Sequence, residues 1–368
     1  MDFHIYDHLL QLTRISLGSK ESFPFNGNID WGEMMDMAIL QGLDALSFDG
    51  LQTIYDHLSK EEACVLDASI GERRYDWMGL ALQAEQNYEA YYEKLRSLAT
   101  FYRENGIRVL VLKGYGLSLD YPTPPHRTMG DIDLYLFGRG KDADEMVKAK
   151  WKISVKQNED KHSVFSYRGL SVENHASFIN VVEHPSLKEI EVFLESSALN
   201  APSINMDGVE INVPSPTMNA VFLPCHMAAH FVFGGMQLKQ LTDWAVFIMN
   251  KGKDVDWSVA RRLAEHAGCF AFFKVLNGII IEHFGVPSEL LPNWGRDLKL
   301  EKRIWLDTLN HKAAQTKRTV LMKIHDYFIA RWKFKLVYRE SLFFNFIQHS
   351  WASFRIKYLP NSRSVWDR

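Results

Sequence analysis

The sequence has little cysteine and no long apolar run. Its three cysteines, Cys64, Cys225 and Cys269, are widely spaced and odd in number, and they form neither a CxxC metal pair nor a disulfide framework. A reducing compartment is therefore expected. No apolar run approaches the ~18 residues of a membrane span, and residues 1–10 lack the positive start and apolar core of a signal peptide. These absences predict a cytoplasmic protein without a membrane partner.

A strong charge of either sign is also absent. The formal net charge is -3, with 24% charged and 46% hydrophobic residues. This composition is close to that of globular proteins, which argues against a disordered or collagen-like chain. It also gives no global argument for a polyanionic partner.

One segment departs from this balance. Residues 312–368 hold 12 Lys or Arg against 3 Asp or Glu, and the basic residues alternate with aromatic ones, as in 331–338. Such a tail suits single-stranded nucleic acid, because charge follows the phosphates and rings stack on bases. The alternative is that the aromatics pack in a core while the basic side chains extend from its edge. RNA is therefore one candidate partner.

Hydrophobic patterning divides the chain into three parts. Residues 1–98 are predicted to be helical, 99–214 to form an α/β core, and 215–368 to return to helices. Within the core, strands are predicted at 107–112, 132–137, 162–167 and 170–178, edge strands at 190–194 and 209–213, and a helix at 142–150. A long helix is predicted at 73–105. The fold class is therefore α+β, a mixed sheet flanked by N- and C-terminal helical regions.

Two aspartates one residue apart are the strongest chemical signal. Asp131 and Asp133 lie in the segment M-G-D-I-D-L at a predicted strand. Strand side chains alternate between faces, so both carboxylates point the same way. Acids so close repel one another unless a cation lies between them, and hard oxygen ligands suit Mg²⁺ or Mn²⁺. A solvated strand can carry such a pair too, so the motif depends on its surroundings.

A glycine turn upstream supplies features of a phosphate site. Residues 111–116 read V-L-K-G-Y-G, which predicts a strand, a turn at Gly114 and the start of a helix. Free backbone N–H groups at such a helix start attract anions, and Lys113 adds a positive charge. Gly130 lets a ligand approach the backbone beside Asp131. The Walker and Rossmann glycine patterns are both absent.

A third acid follows on a later predicted strand. Glu173, in the segment V-E-N-H, would join the two aspartates if its strand lies beside theirs. Transfer of nucleotides commonly uses two metals about 4 Å apart, and a third carboxylate completes such a site. His175 would then assist the site. The alternative interpretations are a surface acid for Glu173 and a local hydrogen-bond partner for His175.

Together these motifs resemble the bacterial uncharacterised nucleotidyltransferases of the DNA polymerase β-like nucleotidyltransferase superfamily. The resemblance covers roughly residues 85–250, and its specific part is the pairing of L-K-G with G-D-I-D-L. The later elements are Glu173-Asn174-His175, the pair His226 and His230, and the segment 238–243. Two positions depart from the family pattern: Tyr115 stands where the superfamily has serine, and Asn174 replaces an apolar residue. The matching positions are Leu112, Lys113, Gly114, Tyr121, Pro122, Arg127, Gly130, Asp131, Ile132, Asp133 and Leu134.

The resemblance implies an enzyme that transfers a nucleoside monophosphate from an NTP such as ATP to an acceptor hydroxyl. Asp131, Asp133 and Glu173 would be catalytic residues that bind Mg²⁺ or Mn²⁺, and Lys113, Gly114, Arg127 and Gly130 would hold the nucleotide. The acceptor stays open between RNA, a protein side chain and a small metabolite. The alternative function is a non-catalytic nucleotide-binding or scaffold protein that keeps the fold.

Three further features admit competing interpretations. His226 and His230 have the i, i+4 spacing of zinc ligands, but without the H-E-x-x-H glutamate a pair of core or hydrogen-bonded histidines is favoured. Arg127 suits a triphosphate through its planar guanidinium, or else a loop-anchoring ion pair. Cys225 beside His226 suggests a nucleophile, but its apolar neighbours favour a buried structural thiol.

Overall fold

Residues 3–24, 29–158, 161–310 and 331–341 are described in the computed structural model of the chain. Of the basic, aromatic segment only 331–341 falls inside these ranges, so most of the predicted RNA-binding tail lies outside the described residues. Within these ranges no helix combines the length and the apolar character needed to cross a membrane.

Helices occupy both ends of the described chain. Their bounds are α1 Phe3–Ser16, α2 Trp31–Gln41, α3 Asp44–Tyr55, α4 Lys60–Ile70, α5 Arg73–Glu104, α6 Tyr115–Ser118, α7 Gly140–Trp151, α8 Lys188–Leu199, α9 Pro216–Phe233, α10 Leu238–Lys251, α11 Trp257–Ala267, α12 Phe270–Phe284, α13 Leu298–Leu309 and α14 Arg331–Val337. The predicted helices at 73–105 and 142–150 correspond to α5 and α7.

Local capping explains where α2 begins and ends. The Asp30 carboxylate accepts a hydrogen bond from the Glu33 backbone N–H at 2.9 Å, which satisfies one of the free donors at the helix start. Gly42 follows the last turn with φ 68°, in the left-handed region where only glycine is unstrained. This end matters for the site, because the Gly42 carbonyl accepts a hydrogen bond from a loop described below.

Seven described strands form one mixed sheet, confirming the α+β class. The strands are β1 Leu110–Val111, β2 Ile132–Tyr135, β3 Lys156–Asn158, β4 His162–Tyr167, β5 Leu170–His175, β6 Ser203–Met206 and β7 Val209–Asn212. Their order is β3-β4-β5-β2-β1-β7-β6. Strand β2 pairs parallel with β5 and antiparallel with β1, which places the two acid-bearing strands side by side.

The predicted strands agree with this sheet in part. Strand β4 has the predicted bounds 162–167, whereas β2 and β5 end two and three residues early, and β1 keeps two of the six residues predicted at 107–112. The strand predicted at 209–213 is present as β7. It is not an edge strand as predicted, because β7 pairs with both β1 and β6. Strand β6 was missed, although Asp207 and Gly208, both with positive φ, form the two-residue turn typical of a hairpin.

The edge strand predicted at 190–194 is also wrong, since these residues lie within α8. The buried positions Ile190, Leu194 and Ala198 recur at four-residue spacing, while Val192 is exposed. This is the period of a helix face rather than the alternation of a strand. The short apolar run hid that longer pattern.

The two faces of the sheet have different neighbours. Ile132 and Leu134 are fully buried in a cluster with Leu95, Leu98 and Val147, so α5 and α7 cover that face of β2. A second and larger cluster joins the N-terminal helices to α9, α10 and α12. Because strand side chains alternate, Asp133 points away from Ile132 and Leu134, toward the helices of the larger cluster.

Candidate active site

Strand register brings the predicted acids together. Asp133 of β2 is the direct partner of Glu173 on β5, and Tyr135 is the partner of His175. Residues paired in register share a face of the sheet. Ligand atoms of Asp133, Glu173 and His175 accordingly lie within 4.8 Å of one another. Sequence patterning located each residue, but the adjacency of the two strands was needed to unite them.

Asp133 is a buried carboxylate held by two donors. Its Oδ1 accepts hydrogen bonds from Lys113 Nζ at 3.0 Å and from His175 Nε2 at 3.0 Å, and its side chain is only 6% exposed. Burial alone would raise the pKa of Asp133. The Lys113 ammonium and the His175 hydrogen bond outweigh this effect and hold that pKa well below its ordinary value. Asp133 is therefore ionised at neutral pH.

Asp131 has a different environment although it is two residues away. It is exposed, at the mouth of a cleft. Partial burial raises the pKa of its carboxyl, and the nearby charges of Glu173 and Asp133 raise it further. The repulsion expected between neighbouring acids is thus felt at Asp131, whereas Asp133 is relieved of it by Lys113. A cation beside Asp131 would relieve that repulsion.

Glu173 is flanked by two imidazoles. Its carboxylate oxygens lie 3.6 Å from His162 Nε2 and 3.6 Å from His175 Nε2. Burial raises the pKa of Glu173, but the adjacent imidazoles of His175 and His162 outweigh it and lower that pKa overall. Burial also lowers the pKa of His162 to about 4. His162 was not a predicted site residue, although its position at the start of β4, opposite His175, follows from the hairpin register.

The ligand atoms gathered around β2 and β5 suit a divalent cation. Two carboxylates and an imidazole converge in the cluster of Asp133, Glu173 and His175, and Asp131 adds a carboxylate beside it. Carboxylate oxygens are the usual ligands of Mg²⁺ and Mn²⁺. The predicted ligand set was Asp131, Asp133 and Glu173. The tight group contains His175 in place of Asp131, so the histidine predicted as an accessory residue belongs to the cluster itself.

Gly114 lies at a turn that no side chain would allow. Its φ is 53°, and a Cβ atom there would lie 2.3 Å from the Tyr91 hydroxyl oxygen. Lys113, the preceding residue, directs its ammonium between Asp133 and His226, whose Nε2 lies 3.3 Å away. Lys113 therefore contacts the carboxylate cluster at one side of the cleft rather than standing free in solvent.

The two histidines of α9 form a hydrogen-bonded pair. His226 Nε2 lies 3.0 Å from His230 Nε2. Because the Lys113 ammonium has only protons to donate, His226 Nε2 accepts and His230 Nε2 donates. Burial and the neighbouring Lys113 hold the pKa of His226 well below its ordinary value. His230 is more exposed, and partial burial together with the charge of Lys113 lowers its pKa as well. The favoured hydrogen-bonded interpretation agrees with this geometry.

The loop 121–130 carries Arg127 and closes a second side of the cleft. Arg127 Nε and Nη2 donate to the two carboxylate oxygens of Asp243, both at 2.8 Å. The Tyr121 hydroxyl donates to the same carboxylate at 2.7 Å. Arg127 is thus engaged as a bidentate anchor between the loop and α10, which favours the ion-pair alternative over direct phosphate binding.

Three further contacts join this loop to the N-terminal helices. His126 contacts Asp49 Oδ1 through Nδ1 at 2.7 Å and Glu85 Oε1 through Nε2 at 3.2 Å. The Thr128 hydroxyl donates to the Gly42 carbonyl at 2.8 Å. Sequence patterning identified none of these partners, because the sequence carries no local signal for contacts between such distant residues.

These elements enclose a cleft of about 220 Å³. Among the predicted site residues, Lys113, Gly114, Arg127, Gly130, Asp131 and Asp133 line it. Lys239 of α10 adds a third positive charge to its lining; it lies in the segment 238–243 of the family resemblance but was not predicted as a site residue. Cations and carboxylates thus face one space, the arrangement that a triphosphate with a divalent cation requires.

Comparison with known proteins identifies a family for most of the chain. The model of the family described as "uncharacterised nucleotidyltransferase" matches residues 27–284, which include every residue that lines the cleft. No curated protein and no solved structure matches the chain.

Proposed function

This chain belongs to the uncharacterised nucleotidyltransferase family, and on that premise we propose that it transfers a nucleoside monophosphate from an NTP to an acceptor hydroxyl with the help of Mg²⁺ or Mn²⁺. The observation that carries the proposal is the register of β2 and β5, which places Asp133 beside Glu173 and next to His175. Family membership supports a nucleotidyltransferase in general, and the donor set supports the use of a metal.

Asp131, Asp133 and Glu173, with His175, would hold the metal. A bound divalent cation would neutralise phosphate charge and orient the reacting oxygens. Lys113 and Lys239 stabilise the triphosphate electrostatically from within the cleft. Arg127 keeps the loop that carries Gly130 and leads into Asp131 in place through Asp243. These residues supply position and charge rather than a covalent intermediate.

Glu173 orients the acceptor. The acceptor oxygen forms a bond to the α-phosphorus while the bond from that phosphorus to the pyrophosphate oxygen breaks, and pyrophosphate leaves. The hydroxyl proton passes to the Glu173 carboxylate, directly or through water. Glu173 suits this task because its side chain is 22% exposed, whereas Asp133 is enclosed.

A second function rests on one observation. Lys113 already pairs with Asp133 at 3.0 Å, and this ammonium competes with a metal for the carboxylate. A protein in which that pair persists would bind nucleotide without transferring it. The two functions differ in whether a bound NTP is consumed.

Glu173→Gln separates binding from transfer. Because the carboxylate acts on the acceptor in the transition state, the variant is expected to keep NTP affinity within a few-fold and to lose labelled product. The measurement uses each α-labelled NTP with Mg²⁺ or Mn²⁺ and cell extract, together with calorimetric nucleotide binding. Glu210→Gln is the matched control, since this glutamate is exposed on β7 of the same sheet.

Four outcomes decide between the functions. Product from the wild type and the control but not from Glu173→Gln supports transfer. Divalent-dependent binding with no product from any protein supports the non-catalytic function. If Glu173→Gln loses nucleotide affinity and product equally, Glu173 contributes to nucleotide binding rather than to the acceptor. A wild type that binds no nucleotide contradicts both functions.

A further inference from the structure

A second cavity lies on the other side of His226 from the nucleotide cleft. It has a volume of about 370 Å³, larger than the cleft, and His226 is the residue that lines both. Lys161, Phe178, Asn180, Ala229 and Tyr338 contribute to its lining. A space of this size is within the range of small-molecule sites.

Backbone pairing connects this cavity to the carboxylate cluster. Lys161 immediately precedes His162, the first residue of β4, and His162 Nε2 lies 3.6 Å from Glu173. The Lys161 carbonyl accepts a hydrogen bond from the Ala176 backbone N–H at 2.8 Å, directly after His175 at the end of β5. Lys161 and Phe178 therefore lie at the same end of the β4–β5 hairpin. Glu173 lies on β5 of this hairpin.

The lining combines the Lys161 cation and the Glu183 carboxylate with an apolar surface. Burial and the nearby Lys113 lower the pKa of Lys161, and an anion beside it would offset both effects. The charges of Asp133, Glu173 and Glu191 raise that pKa, but the opposing effects outweigh them. Phe178, Ile179 and Leu187 supply apolar contacts. Both chemistries together suit a ligand with an anionic group and an apolar body.

The walls of this cavity are held in place by specific contacts. The buried Glu191 carboxylate accepts hydrogen bonds from the backbone N–H groups of Phe178 and Ile179, both at 2.9 Å. The Tyr338 ring stacks on His184 with 3.5 Å between centroids and 1° between planes. Tyr338 lies outside the family match at 27–284, so this wall, unlike the cleft, is built partly from residues that the family model does not cover.

We propose that this second cavity binds the acceptor, a small molecule that carries an anionic group, an apolar body and the hydroxyl to be modified. The inference rests on the proposed function and narrows it from any acceptor to a small one. The anionic group contacts Lys161, the apolar body contacts Phe178 and Leu187, and the hydroxyl projects past His226 toward Glu173. His226 lines both the cavity and the nucleotide cleft, so a molecule in the cavity lies next to a nucleotide in the cleft.

Two variants test the cavity, one by changing its volume and the other by changing its charge. Ala229→Phe fills it from α9, and Lys161→Met removes the charge while keeping the side-chain length. Matched controls are Val192→Phe at an exposed position of α8 and Lys156→Met at an exposed position of β3. The probe is the low-molecular-mass filtrate of a cell extract, divided by anion exchange, with α-labelled NTP and Mg²⁺ or Mn²⁺. Thermal midpoints and nucleotide affinities are measured on the same samples.

The wild type and both controls are expected to label a small product from the anionic fraction. Each cavity variant should lower product formation about tenfold more than it lowers nucleotide affinity, the size of one lost charge-assisted contact. Should Ala229→Phe fail to fold, Lys161→Met carries the test. Label found only in RNA or protein, an acceptor confined to the uncharged fraction, or wild-type product from Lys161→Met would overturn the inference and leave the transferase function intact. A wild type that neither binds nor consumes NTP contradicts the proposed function, and the inference falls with it.

Discussion

Two walls of the nucleotide cleft are built in different ways. The carboxylate wall is formed by Asp133 on β2 and by Asp131, which directly precedes β2, and the backbone pairing of β2 with β5 places Glu173 beside Asp133. The loop 121–130 opposite has no strand partner. Its side chains bind α3, α5 and α10 instead. One wall therefore depends on main-chain register, and the other on a few charged side-chain contacts.

This difference determines how each wall responds to substitution. A carboxylate on a paired strand can lose its charge while the backbone stays in place, so folding suffers only where the side chain itself balances a buried charge. The loop has no such backbone support, so loss of an ion pair releases the segment next to Asp131. The following experiments test this contrast, from the largest expected effect on stability to the smallest.

Asp133→Asn and Asp131→Asn should separate the two aspartates. The change at Asp133 would leave the Lys113 ammonium without its buried counter-charge, so the free energy of unfolding should fall by about 3 kcal/mol. The same change at the exposed Asp131 should alter it by less than about 0.5 kcal/mol, and relief of repulsion would make the change stabilising. Urea denaturation measures the stabilities. Both variants should lose divalent-dependent nucleotide binding.

Equal stability of the two variants would show that the Lys113–Asp133 pair does not balance charge as its geometry indicates. If both variants keep divalent-dependent nucleotide binding, Asp131 and Asp133 do not bind the metal. Asp131→Asn is thus the sharper functional test, since its loss of binding cannot be attributed to unfolding.

Arg127→Lys should break the loop wall. A lysine cannot make the two parallel hydrogen bonds that Arg127 donates to Asp243, and the loss of one charge-assisted bond between largely buried partners costs about 2 kcal/mol. The exposed pair Arg139–Asp142 is the control, where Arg139→Lys should change stability by less than about 0.5 kcal/mol. Chemical denaturation of both variants measures the contrast, and nucleotide affinity should fall only for Arg127→Lys. Equal stability losses would assign the loop to another anchor.

The His126 contacts predict a pH dependence. Burial lowers the pKa of His126, but the hydrogen bonds and charges of Asp49 and Glu85 outweigh it and raise that pKa above its ordinary value. A raised pKa means that the folded state favours the proton. The stabilisation is therefore complete below the unfolded pKa of roughly 6.5 and is lost as pH rises through the folded pKa.

The measurement is the stability of the wild type minus that of His126→Asn across this range. Other histidines, including His226 and His230 with lowered pKa values, contribute equally to both proteins and cancel in the difference. We expect the difference to shrink with rising pH. A difference that grows would mean that His126 is bound as a neutral ring and that the loop does not rely on its charge.

The limits of sequence-based prediction follow the same contrast. Alternation in M-G-D-I-D-L and V-E-N-H is a local pattern, and it correctly indicated strands β2 and β5. The partners of the loop are 41 to 122 residues away in the chain, as with Glu85 and Asp243, and no local pattern identifies them. For the same reason Arg127 stayed open between a phosphate and an ion pair until Asp243 was seen beside it.

The segment 190–194 shows that a local pattern can also mislead when it is short. Its five residues are compatible with a strand, and only the burial of Ala198 one turn further on reveals a helix. A short apolar run carries too little periodic information to distinguish the two.

By itself the sequence determined the α+β class, most strands of the core, and the acids and glycine turn at which chemistry was expected, because each depends on local periodicity or on residue type. Only the tertiary structure decided which groups meet. It paired Lys113 with Asp133, placed His175 in the cluster with Glu173, committed Arg127 to Asp243, and opened a second cavity behind His226. The physical reason is that register and packing join residues far apart in the chain, and the charge state of each group depends on the neighbours it then acquires.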